Sequence, residues 1–305
     1  MYHPEGAPGQ VRTCICLLVL YTHIAQYEVV TGPLPPLQAA DALVHTRETI
    51  NNIASKHRLR ATFAPRVFMD SCGGGLHTHI SVHPTTSAPT HAALPPSPTP
   101  FLTSPEASFL SGLLSNLPAL SLLTLPMPAS YARVVDGIWS GGTYVCWGTD
   151  VREAPVRLCN ASSPGSRNFE LRAIDATANP YVALAGVLGT GARGVRQGAQ
   201  LKMGDCSVKL GTGVTVQGSH GGPGTVEGRT AAELGEEERK AYGITKRMPL
   251  AWDGARLTMT QSQVVREVLG DKFVDGYLSV NKVRALEGSV WTSWVVLMVW
   301  FAAPC

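Results

Sequence analysis

The chain predicts an α/β fold, and three features of the sequence predict it. Short stretches with strand-like alternation recur at Tyr27–Val30, His77–Val82 and Asn168–Ile174. Helix-period stretches separate or follow them, from beyond Pro36 to about Lys56 and at Glu106–Thr124 and Tyr181–Val195. With 305 residues, 44% hydrophobic and 15% charged, the chain can bury the core of one large domain or two smaller ones.

Taken in order, residues 1–10 (MYHPEGAPGQ) read as a turn-rich loop with one carboxylate, Glu5. Residues 11–26 change character, and Tyr27-Glu28-Val29-Val30 resumes as a strand that Pro33, Pro35 and Pro36 end. A helix to about Lys56 follows, with Ala40, Leu43, Ile50, Ile53 and Ala54 on its apolar face. Arg60–Met69 is extended and leads into Asp70-Ser71-Cys72-Gly73-Gly74-Gly75-Leu76-His77-Thr78-His79-Ile80-Ser81-Val82. Three glycines there permit a backbone close to a ligand, and strand alternation puts His77, His79 and Ser81 on one face. That arrangement suits a metal–phosphate site, a zinc pair or a polar strand face.

Residues 83–105, rich in Pro, Ser, Thr and Ala, read as a mobile surface loop. The helix at 106–124 carries Phe109, Leu110, Leu113, Leu114 and Leu117 and is interrupted at Pro118. Ser130-Tyr131-Ala132-Arg133 follows a Pro-rich turn, and Thr143–Trp147 and Ala154–Leu158 read as strands flanking the charged turn Gly148–Glu153. Asn168–Ile174 is a strand with Glu170 and Arg172 on one face, and Asn179 caps a helix opened by Pro180. Residues 207–228 are Gly-rich and aperiodic. Glu236–Tyr242, Thr258–Leu269 and Lys272–Leu286 are helical, and Val290–Cys305 is apolar with three tryptophans.

Several function classes fall away. A net charge of +3 without Lys/Arg runs, and aromatics not interleaved with basic residues, argue against nucleic acid. Seven cysteines, an odd number with no C-x-x-C pair, point to free thiols in a reducing compartment, and the cytoplasm is expected. The apolar runs Cys14–Tyr21 and Val295–Ala303 fall short of the about 20 residues a bilayer requires, so no membrane is expected. The N-terminus lacks the order of a signal peptide. Gly189-x-Gly191-x-x-Gly194 closes a helix instead of opening one, which sets nicotinamide cofactors aside. No G-x-S-x-G elbow exposes a serine, so Ser130, the histidines and Asp136 do not make a hydrolase triad. What remains is a set of Glu5, Glu28, His77 and Glu170, candidate ligands for hard divalent ions. With it go Arg133, Arg152, Arg157 and Arg172, candidate clamps for phosphate and carboxylate oxygens.

From His3 to about Leu286 these residues resemble the catalytic domain of glutamine synthetase, most of all the fungal glutamine-synthetase-like proteins. The resemblance rests on His3-Pro-Glu5-Gly-Ala-Pro-Gly-Gln10, Tyr27-Glu28, Cys72-Gly-Gly-Gly-Leu-His77-Thr-His79-Ile-Ser81 and Ser130-Tyr-Ala-Arg133. It continues through Trp147-Gly-Thr-Asp-Val-Arg152-Glu-Ala-Pro-Val-Arg157 and Phe169-Glu170-Leu-Arg172-Ala-Ile-Asp-Ala-Thr-Ala-Asn-Pro180. It implies a curved, mainly antiparallel sheet with helices outside and the site on the concave face. It further implies Mg²⁺ or Mn²⁺ as cofactor, ATP as co-substrate, and glutamate and an amine as partners in glutamine biosynthesis and nitrogen metabolism. By the same resemblance Glu5 and Glu28 hold one metal, and His77 and Glu170 help hold a second. His79 and Ser81 meet ATP, Gly73, Arg133 and Arg172 hold glutamate, and Arg152 and Arg157 lie beside the transferred phosphate. Arg133 and Arg152 are the residues assigned to catalysis. The resemblance implies an ATP-dependent carboxylate–amine ligase joining glutamate to ammonia or a bulkier amine through γ-glutamyl phosphate, with activity impaired by truncation; the alternative is a non-catalytic regulatory or developmental protein that keeps the fold.

Four departures from the family pattern stand out. Residues 1–289 read as the catalytic domain without the small β-grasp domain and the two carboxylates that precede it in the family, so the family's homo-oligomeric ring is not expected. Residues 11–26 interrupt a continuous family motif, begin with a valine whose codon starts GT, and read as an unspliced intron; 290–305 begin alike and read as a non-native apolar tail. Trp139 stands where glutamine synthetases carry an ammonium-binding glutamate, and an indole cannot accept a proton from ammonium. Cys72 and Gly74 replace the usual Asn and Ser, and Leu125-Pro-Met-Pro-Ala replaces an Asn-rich approach to Ser130-Tyr131.

Overall fold

The computed structural model describes residues 11–19, 25–66, 74–83, 97, 99–138, 140–207 and 230–282. Among the described residues seven strands form one open sheet: β1 (Val11–Val19), β2 (Ala25–Val30), β3 (Ala61–Thr62), β4 (Thr78–Ile80), β5 (Trp147–Thr149), β6 (Val156–Cys159) and β7 (Asn168–Leu171). The order is β2-β1-β4-β7-β6-β5, with β3 beside β1. Every pairing is antiparallel except β5 with β6. The expected mixed fold and mainly antiparallel sheet are therefore present. β1 is built from the residues read as an insert, and it lies between β2 and β4.

The described residues also form the helices α1 (Pro36–Lys56), α2 (Ser104–Thr124), α3 (Pro180–Arg196), α4 (Glu236–Ala241), α5 (Trp252–Gln261) and α6 (Gln263–Leu269). Residues 271–282 are also helical, and a 3-10 turn spans Pro128–Arg133. Period-two alternation sorts the central strands into two faces. Ile80, Val156, Leu158, Phe169 and Leu171 turn to the helices and are almost wholly buried, and the Phe169 ring stacks on Phe109 of α2 at 6.1 Å. The alternate residues, His79, Arg157, Glu170 and Arg172, turn to the other side.

The helix starts follow capping chemistry. Asn179 accepts from the backbone N–H of Tyr181 and Val182, as its position before Pro180 predicts. The start of α2 lies earlier than the periodicity indicates, because Thr103 and Glu106 form a reciprocal capping box with Pro105 in the first turn. Ser104 and Pro105, the end of the expected loop 83–105, thus belong to the helix; residues 84–96 and 98 lie outside the described residues. α2 also runs unbroken through Pro118. Packing on both sides holds it there: Thr258 of α5 donates to the Pro118 carbonyl, and Lys246 donates to the Ser115 carbonyl beside the site of the lost helix bond. On α1, Ala39, Ala40 and Leu43 are buried as expected, whereas Ile53 is 53% exposed.

The G-x-G-x-x-G triplet lies inside α3, which continues to Arg196 and ends at Gln197 in the right-handed region. These glycines are needed for packing, not for a helix cap. A Cβ on Gly191 would enter the Phe109 ring, and one on Gly194 would enter the Ser108 carbonyl. A Cβ on Gly112 of α2 would stand 2.5 Å from the Thr190 carbonyl oxygen and 2.8 Å from the Gly194 Cα. At an exposed helix site Gly→Ala stabilises by about 1 kcal/mol. Gly112→Ala instead lowers stability, by about 1–3 kcal/mol, because backbone on both sides blocks the methyl. Urea unfolding of the variant checks the sign.

Candidate active site

Four segments converge on the sheet face turned away from the helices. In the strand register His79 is opposite Glu170, and Glu170 is opposite Arg157, so the three lie in one row across β4, β7 and β6. The turn before β4 brings His77 to the same place, and the residue after β7 brings Arg172. The fourth segment is the 3-10 turn Pro128–Arg133. Its last residue is almost wholly buried and donates from Nη1 to the Ile174 carbonyl at 3.0 Å.

Glu170 is the centre of this arrangement. Oε1 accepts from Arg172 Nη1 and lies 3.0 Å from His77 Nδ1. Oε2 accepts from Arg157 Nη1 at 3.1 Å and from the buried Cys159 thiol at 3.7 Å. Arg157 Nη2 donates in turn to Asp150 Oδ1 at 3.0 Å. Arg172 Nε donates to the Arg152 carbonyl at 2.9 Å, which fixes its guanidinium plane.

The electrostatics follow from burial and these neighbours. Burial, with Arg172 adding to it, pushes the His77 imidazole down to about 4 against the pull of Glu170. Burial would raise the Glu170 carboxyl, but Arg172 and then His77 outweigh it and hold the group well below the usual carboxylate range. At neutral pH the centre is therefore a neutral imidazole beside an ionised carboxylate, the forms in which both residues ligate a metal. This donor pair fits a divalent cation in its chemistry, with Arg172 and Arg157 as the groups that now cover the carboxylate.

Gly75 explains part of the glycine turn. A Cβ there would lie 2.7 Å from His77 Nε2 and 2.9 Å from Arg133 Nη2, so a larger residue would push both side-chain tips out of this arrangement. Beyond Arg133, Ser140 donates to the Arg133 carbonyl, tying Ser140 to the same turn. The loop returns through Gly141 and Gly142, at φ 97° and 66°, conformations that favour glycine.

Of the residues selected from the sequence, His77, His79, Arg133, Arg157, Glu170 and Arg172 come together. Arg152 enters through its carbonyl, while the residue itself is exposed. Ser81 follows the end of β4 and is half-buried. Glu28 lies in β2, paired in register with position 16 of β1. Glu5, Gly73, Trp139 and the side chain of Glu28 fall outside the described residues. Asn168, Asp150 and Cys159 were not selected. Asn168 shares the parity of Glu170 and Arg172, a signal legible in the sequence. Asp150 meets Arg157 only because β5 and β6 pair in parallel.

Comparison with known proteins accords with this geometry. A family model described as the glutamine synthetase catalytic domain matches residues 20–205. The chain is 32% identical over 300 residues to protein fluG of Emericella nidulans, which covers 97% of this chain and 28% of that protein. It is 31% identical over 292 residues to the γ-glutamylpolyamine synthetase GlnA3 of Streptomyces coelicolor, covering 95% of this chain and 53% of the relative. The chain thus spans about half or less of the length of these curated relatives. Among solved structures, the cryo-EM structure of Plasmodium falciparum glutamine synthetase aligns with a TM-score of 0.66 at 18% identity, over 90% of this chain and 56% of that one. A GmaS/ADP complex aligns with a TM-score of 0.65 at 19% identity, over 93% of this chain and 70% of the other.

Proposed function

The chain belongs to the glutamine synthetase catalytic-domain family, and from that premise we propose that it is an ATP-dependent ligase joining the γ-carboxylate of glutamate to an amine bulkier than ammonia. The observation that carries this reading is the convergence of Arg133, Arg157 and Arg172 on the His77–Glu170 pair. Arginines presented from rigid strands and a short turn suit oxygens that gain charge during phosphoryl transfer. In the proposed reaction the γ-carboxylate attacks the ATP γ-phosphate, ADP leaves, and the amine then displaces phosphate from the acyl phosphate. Arg133 and Arg172 hold the glutamate, and Arg157 lies beside the transferred group. His77 and Glu170, with Glu5 and Glu28, are the residues that would hold Mg²⁺ or Mn²⁺. When bound, the metal supplies neutralising charge to the phosphate oxygens.

The preference for a bulkier amine rests on Trp139, whose indole only donates hydrogen bonds. That one relative carries the name γ-glutamylpolyamine synthetase supports it. The test is glutamate-dependent ADP release with Mg²⁺ or Mn²⁺ and a panel of ammonium, alkylamines and polyamines. Alkylamines or polyamines are expected to exceed ammonium, and release that no amine stimulates counts against the reading. Trp139→Glu is expected to shift the preference toward ammonium by about 10-fold or more.

A second reading, a protein that binds nucleotide or glutamate without turnover, is favoured by one observation. Both Glu170 oxygens are already paired with arginines, so a metal must displace them. ATP binding without amine-stimulated ADP release selects this reading. We also retain 11–26 as an unspliced insert. A mature transcript encoding all sixteen residues overturns that.

A further inference from the structure

The hydrogen bonding of His79 determines which of its two ring nitrogens carries the proton. Nδ1 lies 2.8 Å from Asn168 Oδ1, the one side-chain hydrogen bond His79 makes among the described residues. Asn168 is 3% exposed and comes from β7, two residues before Glu170 on the same face. Its amide orientation is set independently, because Nδ2 donates to the Ser166 carbonyl at 2.9 Å. A carbonyl only accepts, so the nitrogen must face Ser166 and the oxygen must face His79. Opposite an acceptor, Nδ1 must be the protonated nitrogen of the neutral ring, and Nε2 is left with a lone pair. His79 retains 8% exposure.

We propose that Asn168 is a positioning residue that locks His79 in its Nδ1–H form. Nε2 then accepts a hydrogen bond from a donor group of the nucleotide, a ribose hydroxyl or the base amine, and does not bind a phosphate oxygen. A phosphate oxygen offers only lone pairs, which the Nε2 lone pair repels. The inference deepens the reading of this site as nucleotide-binding and rests on it for the ligand. The assignment of the proton rests on Asn168 and Ser166 alone.

Two measurements test it. The first is long-range ¹H–¹⁵N NMR of the ¹⁵N-histidine-labelled protein, with the His79 signals identified by their loss in His79→Gln. A pyrrole-type Nδ1 and a pyridine-type Nε2 are expected, and the reverse pattern overturns the proposal whether or not nucleotide binds. The second compares the binding of ATP, adenosine and tripolyphosphate to wild type and Asn168→Leu. ATP and adenosine are expected to weaken by about 10-fold, the loss of one hydrogen bond, with tripolyphosphate unchanged. Equal weakening of all three overturns the proposal. A native circular-dichroism spectrum and a cooperative urea transition for Asn168→Leu guard against a misfolded variant. The expected tautomer in a protein that binds no nucleotide overturns the nucleotide reading and leaves the Asn168 assignment in place.

Discussion

Replacing Glu170 by alanine will destabilise the fold by about 3–5 kcal/mol, because the change leaves buried cations without their anion. The Glu170 and Arg172 side chains are 4% and 6% exposed and that of Arg157 is 15%, so water replaces little of the lost interaction. The Arg157 guanidinium keeps Asp150 as a partner, and Arg172 keeps the Arg152 carbonyl, which places the loss toward the lower end of the range. Glu170→Gln keeps the shape and one acceptor and should lose less stability. It should nevertheless lose Mn²⁺ binding, since an amide is a poor ligand for a hard cation beside two guanidiniums. Urea unfolding measures the first effect and Mn²⁺ titration of the folded glutamine variant the second. An alanine variant within 0.5 kcal/mol of wild type, about the scatter of an ordinary surface change, would show that Glu170 does not pin the strands together.

An effect of similar size is expected at a distance from the site. Arg167 Nε and Nη2 donate to both oxygens of Glu106, at 2.9 and 2.8 Å, and Nη1 reaches the Ala161 carbonyl at 3.3 Å. Glu106 also accepts from the Thr103 backbone N–H and hydroxyl, both at 2.7 Å, so one carboxylate caps α2 and bonds it to the segment before β7. Arg167→Met leaves that buried carboxylate unpaired and should cost about 3–5 kcal/mol. The double variant Arg167→Met, Glu106→Gln should recover most of the loss, because glutamine completes the capping box without a charge. If the double variant unfolds no later than the single one, the loss comes from packing of the arginine stem instead. Nucleotide and metal binding should be unaltered in the folded fraction of both. That separates this pair from the Glu170 cluster, where stability and ligation share one carboxylate.

Much of the site was legible because strands have a strict period of two. His77 and His79, and Glu170 and Arg172, are each two residues apart, and that spacing alone puts each pair on one face. The same rule extends to Asn168, but an amide carries neither the charge nor the ligand chemistry that marks a site residue in a sequence. Helices with a cap and a continuous apolar stripe, such as α3, were equally legible from local chemistry. Pro118 misled because its local penalty is real, yet α2 is buried against α3 and α5, segments far along the chain, and that packing keeps the helix continuous. The glycine triplet of α3 misled for a related reason, since a requirement for no side chain looks the same whether a turn or a neighbouring helix imposes it.

The mixed fold, the Asn179 cap, the face on which the histidines and Glu170 lie, and the family to which they point are readable in the sequence. Each follows from interactions between residues close in the chain, or from the order of motifs. The folded arrangement alone places β7 between β4 and β6. That placement makes Glu170 the common partner of His77, Arg157 and Arg172. It also decided that Arg152 contributes its carbonyl, and that Asn168 sets the proton on His79. Strand order and side-chain pairing depend on which distant segments exclude water together, and no local pattern encodes that.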